Sequence, residues 1–216
     1  MKFIKDEEFI RSDVPMTKED IRILTFAKLE LDSTSNFLDI GSGTGSMTVQ
    51  ASKICKNGQV VSIERDEEAI KTTKINIDKF NCTNINLIEG DAIEVLSNIK
   101  MKFHGIFLGG TGGNMECIID KSLELLENNG MLVANFITIT NLNAFCDYVE
   151  KKGLKVDVTM LQVSKAKGRL KMLIANNPIF IISVKTSAAL EKSALTKSIT
   201  RSTSPRLALS VIASGL

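Results

Sequence analysis

From residue 36 to residue 138, short apolar runs alternate with stretches of helical periodicity. That alternation commits the chain to repeated βα units around a parallel sheet, because parallel neighbours can be joined only through long crossovers. The fold class is α/β. Strand candidates are Asn36–Ile40, Gln59–Ile63, Ile85–Glu89, Gly105–Leu108 and Met131–Thr138, with helices near 46–56, 66–80, 92–99 and 115–127 between them. Asn57-Gly58 and Asn128-Asn129-Gly130 each stand directly before a strand, where a helix must end and the chain reverse. Upstream, Thr17 is placed to cap a helix that runs through Leu31, with Asp20 near its positive end. Downstream, a helix near 140–152 closed by Gly153 precedes two more strand candidates, Lys155–Val163 and Ile179–Lys185, which bring the sheet to seven strands.

A chain of 216 residues with 44% apolar and 24% charged residues is expected to form one globular domain with a sizeable core. Residues 187–216 differ: they carry seven serines and only a loose helical pattern, and they read as a weakly ordered or partly helical tail after a domain spanning 1–186. The amino terminus turns acidic at Asp6-Glu7-Glu8 where a signal peptide needs its apolar run, and no stretch approaches the ~20 apolar residues of a membrane span. A cytoplasmic location with no membrane partner is therefore expected.

Only one histidine accompanies Cys55, Cys82, Cys117 and Cys146, which lie 27, 35 and 29 residues apart. No metal site is expected, and the thiols read as reduced and mostly buried. His104 receives no catalytic role, since no GxSxG elbow supplies a serine. The net charge of +2 is concentrated in the tail, where four basic residues face Glu191, leaving about −1 for residues 1–186. Such a body carries no general footprint for nucleic acid, which is not an expected partner.

The first strand candidate ends in Asp39-Ile40 and runs into Gly41-Ser42-Gly43-Thr44-Gly45 ahead of a helix. Glycines there let backbone approach a nucleotide-like ligand closely, with amide N–H groups expected to point outward. Ser46 stands where a dinucleotide fingerprint needs its third glycine, so the pattern is GxGxG. Asp39 can accept hydrogen bonds from the loop or from a ligand ammonium. Glu64 follows the second strand, 21 residues after Gly43, where an acid can hold a ribose diol. Asp91 and Ala92 follow the third strand, beside the place of an adenine ring. Together these features resemble the S-adenosylmethionine site of class I methyltransferases, whose Rossmann-like sheet of seven mostly parallel strands, with helices on both faces, also ends in a late strand pair.

After the fourth strand the chain reads Gly109-Gly110-Thr111-Gly112-Gly113-Asn114. It holds no NPPY-type base-gripping motif, no acid cluster and no histidine base. A loop without bulk suits a large flat substrate. With Asp13-Val14-Pro15-Met16-Thr17-Lys18 upstream and Ala166-Lys167-Gly168-Arg169 downstream, it resembles the decarboxylating cobalt-precorrin-6B C-15 methyltransferase family of anaerobic cobalamin synthesis. The resemblance spans roughly residues 5–186. It implies S-adenosylmethionine contacts at Thr17, at Gly41, Ser42, Gly43, Thr44 and Gly45, at Glu64, where many relatives have aspartate, and at Ala92. It also implies a tetrapyrrole substrate and a homotetramer. Gly109, Gly110, Thr111, Gly112, Gly113, Lys167 and Arg169 are the candidate substrate contacts, and Thr111 and Asn114 could orient a carboxylate or ring nitrogen.

Lys165, Lys167, Arg169 and Lys171 recur at every second position and would share one face if extended. Such a face fits a polycarboxylate tetrapyrrole, and equally a solvated loop or a subunit interface. Rival functions are a tRNA adenine methyltransferase, a non-catalytic S-adenosylmethionine-binding module and a protein-carboxyl methyltransferase.

Overall fold

The apolar runs pair as a seven-stranded sheet in the computed structural model, which describes residues 2–110 and 113–186. Its strands are β1 (Phe37–Ile40), β2 (Val60–Glu64), β3 (Ile85–Glu89), β4 (Phe103–Leu108), β5 (Leu126–Phe136), β6 (Val156–Leu161) and β9 (Ile179–Lys185). They lie in the order β3-β2-β1-β4-β5-β9-β6, and β9 alone runs antiparallel to its neighbours. A separate hairpin of β7 (Ser164–Lys167) and β8 (Met172–Ala175) stands outside the sheet. The tail from residue 187 lies outside the described residues.

Six helices cover the sheet: α1 (Glu19–Leu29), α2 (Ser46–Ile54), α3 (Glu67–Lys79), α4 (Ala92–Asn98), α5 (Met115–Leu125) and α6 (Ile139–Lys151). The first three pack on one face and the last three on the other. Period-two alternation decides which side chains serve which layer. Phe37, Val60, Phe107, Met131, Val133 and Ile181 meet Phe26, Leu29 and Met47 of α1 and α2 in one cluster, and burying each of the larger ones contributes roughly 1.5–3 kcal/mol. Among the described residues no helix is long and apolar enough to cross a membrane.

Three local expectations are corrected. Thr17 does not cap α1: Lys18 stands at the N-cap without a side-chain bond of its own, and Asp6 Oδ1 takes the Glu19 amide at 2.8 Å from outside the helix. Asn128-Asn129-Gly130 does not precede β5 but kinks it, with Asn129 at φ 64° and the pairing with β4 jumping from Phe103–Leu126 to Gly105–Met131. Only Cys55 of the four thiols is buried; Cys82 and Cys146 are half-buried, and Cys117 lies exposed beside the inward-facing Ile118 and Ile119 of α5.

The segment before α1 makes no regular element beyond a 3-10 turn at Asp6–Glu8, yet it is tied down by buried polar side chains. Gln50 of α2 accepts from the Ile4 amide (2.9 Å), and Asn76 of α3 both accepts from and donates to the Ile10 main chain (2.9 Å each). Arg22, wholly buried on α1, donates to the Thr17 carbonyl (2.7 Å), the Ile4 carbonyl and Asp6 (3.2 Å), with its guanidinium over the Phe9 ring. These bonds hold Asp13–Lys18 across the carboxyl edge of the sheet.

Truncating the charge at Arg22 takes the ion-pair partner from Asp6, which keeps the Glu19 amide, and removes the guanidinium donor from the Ile4 and Thr17 carbonyls. Arg22→Met is expected to cost about 3 kcal/mol in urea unfolding and to open the segment before residue 18 to protease. Ile23→Ala on the exposed face of the same helix should shift stability by less than about 1 kcal/mol.

Candidate functional site

In a doubly wound sheet a ligand crevice opens where the strand order reverses, at the carboxyl ends of the two central strands. Here those strands are β1 and β4. The turns that leave them touch: a Cβ on Gly109 would stand 2.7 Å from the Gly41 carbonyl oxygen. Gly41, Gly43 and Gly45 all adopt positive φ (79°, 56° and 75°), so the turn doubles back tightly into α2. A Cβ on Gly43 would lie 2.7 Å from the Pro15 carbonyl oxygen, which places the amino-terminal segment directly over this turn.

The loop amides do not point outward as expected. Gly41 and Ser42 N–H donate to the Ile63 carbonyl, Gly45 N–H to the Ser42 carbonyl, and Gly43 N–H to Glu64 Oε2 at 2.8 Å. Glu64 Oε1 takes the amides of Arg65 (2.8 Å) and Asp66 (3.1 Å). Four of the amides that could cradle a pyrophosphate are thus spent inside the protein. Loop carbonyls are satisfied from α3: Thr73 Oγ1 donates to Gly43 (2.8 Å) and Asn76 to Thr44 (2.9 Å). Asp91 caps α4 by accepting from the Ile93 amide (2.9 Å) and pairs with Arg65 at 3.3 Å.

A cavity of about 790 Å³ runs along this edge. Thr17, Gly41, Ser42, Gly43, Glu64, Asp91 and Ala92 line it, as do Gly109, Gly110 and Asn114. Asp39, Thr44 and Gly45 do not reach its wall; Asp39 and Thr44 are wholly buried beneath it. Thr111 and Gly112 lie outside the described residues, and Gly113 is exposed beyond the lining.

Lys167 borders a neighbouring depression of about 550 Å³ that shares Lys18, Asp20 and Asn176 with the main cavity. The basic stripe does not form one extended face. Lys165 and Lys167 lie on β7, whereas Arg169 and Lys171 fall in the turn to β8, with Gly168 and Lys171 at positive φ. Lys165 is paired with Asp20 at 2.5 Å, and Arg169 lines neither hollow. His104 sits at the start of β4, at the opposite end of the sheet, where its Nδ1 accepts from the Asn36 amide.

Asn135, Asn176, Asn177 and Arg65 also line the cavity and were not singled out in the sequence. A signal existed for two of them. Asn135 is the polar residue in the apolar run Met131–Phe136 that closes β5, and Asn177 precedes a proline ahead of β9.

Among the described residues no group of three or more His, Cys, Asp or Glu could hold a metal ion. Asp39 is the most perturbed acid near the site. Burial pushes its carboxyl up to about 7, against the opposing hydrogen bond from Thr48 (2.5 Å), and the nearby Glu64 charge adds to the rise. Its Oδ1 has no partner.

A family model described as a precorrin methyltransferase domain matches residues 8–186. A protein of Sulfurisphaera tokodaii named "Probable cobalt-precorrin-6B C(15)-methyltransferase (decarboxylating)" is 40% identical over 183 residues, covering 83% of this chain and 95% of that protein. A Salmonella typhi protein named "Cobalt-precorrin-6B C(15)-methyltransferase (decarboxylating)" is 36% identical, covering 83% and 94%. The crystal structure of a precorrin-6y C5,15-methyltransferase from Geobacter metallireducens superimposes with a TM-score of 0.81 at 33% identity, covering 86% of this chain and 97% of that one.

The environment of Asp39 makes stability depend on pH. The folded chain keeps this proton between about pH 4 and 7, where the unfolded chain has released it, so stability falls as pH rises through that window and levels off above it. Asp39→Asn can still accept from Thr48. It should match wild type near pH 4 and exceed it by on the order of 3 kcal/mol at pH 8 in denaturant titrations.

Proposed function

The chain belongs to the precorrin methyltransferase family, and on that premise we propose that it transfers a methyl group from S-adenosylmethionine to C-15 of cobalt-precorrin-6B and removes the C-12 acetate carboxyl as CO2. The observation that carries this reading is the continuous cavity at the β1/β4 crossing, which runs from the acidic ends of β2 and β3 to an amide and apolar end under β5 and β9. The residues fit the methyl donor. Glu64 has an acid's reach to a ribose diol, and Asp91 and Ala92 flank the place of an adenine. A Cβ at Gly41 or Gly43 would press on the Gly110 or Pro15 main chain (3.1 and 2.7 Å), so glycine at both positions lets the turn and the segments that bound the pocket close up around a ligand, while Thr44 and Gly45 shape the turn from below. With the Glu64 carboxylate at the wall and the Gly41, Ser42, Gly43 and Gly45 amides engaged within the protein, the pocket favours a cationic ligand over a diphosphate. Thr17 closes the donor end from the overlying segment.

When bound, the donor supplies an electrophilic methyl on a sulfonium whose departure as a thioether needs no proton. The protein's task is alignment and exclusion of water, which can contribute several kcal/mol through near-attack positioning. Gly109, Gly110, Thr111, Gly112 and Gly113 let the flat macrocycle lie close to the main chain, and Asn114 orients it. Lys167, with Arg169 at the turn beyond it, offers counter-charges for peripheral carboxylates. The hairpin also exposes Leu170, Met172 and Leu173, which supports assembly of a cytoplasmic homotetramer through this arm.

Mass spectrometry of cobalt-precorrin-6B incubated with the protein and S-adenosylmethionine should show a product with one methyl gained and CO2 lost; an unchanged tetrapyrrole overturns the reading, and a parallel tRNA incubation tests the rival. Gly43→Val should abolish S-adenosylmethionine binding in calorimetry, because its side chain must displace the Pro15 main chain that roofs the pocket. Normal binding by that variant removes the assignment of the donor site.

A further inference from the structure

The end of the cavity beneath β5 and β9 is built differently from the rest. Two cations, Lys18 and Arg65, line the cavity among the described residues. Arg65 belongs to the β2–β3 end, paired with Asp91, and Lys18, together with Asp20, stands at the Asn176 corner where the cavity meets the neighbouring depression. The β5–β9 end is walled by Ile137, Val163 and Ile179, with the uncharged amides of Asn135, Asn176 and Asn177 between them. At its base Asn135 is fixed from behind. Its Nδ2 donates to Thr25 Oγ1 at 3.1 Å, and Thr25, wholly buried on α1, has the Ile21 carbonyl at 2.8 Å as the nearer acceptor for its own proton, Asn135 Oδ1 lying farther off at 3.4 Å. That leaves the second N–H of the Asn135 amide for a ligand.

Resting on the methyltransfer and decarboxylation reading above, we propose that Asn135, held by Thr25 as its positioning residue, binds the carboxylate that departs as CO2. A carboxylate that must become neutral CO2 gains nothing from a counter-cation, because an ion pair stabilises the ground state more than a transition state whose charge is leaving. One neutral hydrogen bond orients the group, and the three aliphatic side chains favour its uncharged product. The C–COO⁻ bond breaks, its electron pair passes into the conjugated macrocycle, CO2 leaves, and the exocyclic carbon later takes a proton from solvent water. Carboxylates that are retained are left to Lys18, Arg11 and Lys167, which line the neighbouring depression together with Asp6, Glu7 and Asp20.

The test follows CO2 release and methyl transfer separately in single turnovers on cobalt-precorrin-6B. Asn135→Ala should slow CO2 release by at least about tenfold while methyl transfer stays within about threefold, so that a methylated tetrapyrrole still bearing its carboxyl accumulates. Asn135→Asp, nearly isosteric but charged, should release CO2 more slowly still. Thr25→Val should show the same split to a smaller degree, and its effect should vanish in an Asn135→Ala background. Parallel loss of both activities in folded variants, or normal CO2 release by Asn135→Ala, overturns this assignment and leaves the overall reaction standing. Absence of both reactions in the unaltered protein would instead overturn the reading on which it rests.

Discussion

Three stretches of main chain meet at the carboxyl edge of the sheet with no room for side chains between them, and the rest of the site depends on that meeting. The turn after β1 passes under the turn after β4, and Pro15 lies over both the loop and the cavity it bounds. Positive φ at Gly41, Gly43 and Gly45 lets the first turn reverse within five residues. The glycines therefore serve protein against protein as much as protein against ligand. Gly45 makes the point most plainly, since a Cβ there would meet Thr73 of α3 at 2.9 Å and not the cavity.

Irregular chain can be held over such a site only if its polar groups find partners as it is buried. Gln50, Asn76 and Arg22 supply them, each from a helix on the same face of the sheet. Asn76 is the hinge of this arrangement, because one amide grips both the Ile10 main chain and the Thr44 carbonyl of the glycine turn. The amino-terminal segment and the glycine turn are thereby fixed by a common side chain, and the geometry of the turn is linked to the attachment of that segment.

How much of this was legible in the sequence follows the range of the forces involved. β3 and β9 match the apolar runs residue for residue, because burial and period decide a strand locally. The GxGxG turn, Glu64 and Asp91 were visible because strand ends in this topology converge. The failures lie where long-range partners outcompete local preference. Thr17 has the chemistry of a cap, but Asp6, 13 residues before Glu19, takes the first amide of the helix. Asn128-Asn129-Gly130 has the chemistry of a turn between elements, but pairing with Phe103 extends β5 upstream of it. The alternating lysines and arginine looked like one strand face until Gly168 turned the chain between them. Glu64 was read as a ligand for ribose alone, and nothing local reveals that three backbone amides already hold it.

That last detail bears on ligand choice as well as on stability. A loop whose amides faced the cavity would suit a diphosphate, and a glycine-rich turn between a strand and a helix is often read that way. Here the same amides are directed to Ile63, Ser42 and Glu64, and the nearest ionisable groups are carboxyls. The electrostatic sense of the pocket is thus opposite to that of a phosphate site, although the backbone trace is nearly the same. Along its length the cavity passes from the acidic ends of β2 and β3 to a wall of amide and aliphatic side chains under β5 and β9, with Lys18 where it meets the neighbouring depression. In the proposed reaction a methyl group leaves a sulfonium at the first end and a carboxylate is lost at the second, and neither step calls for a strong base between them.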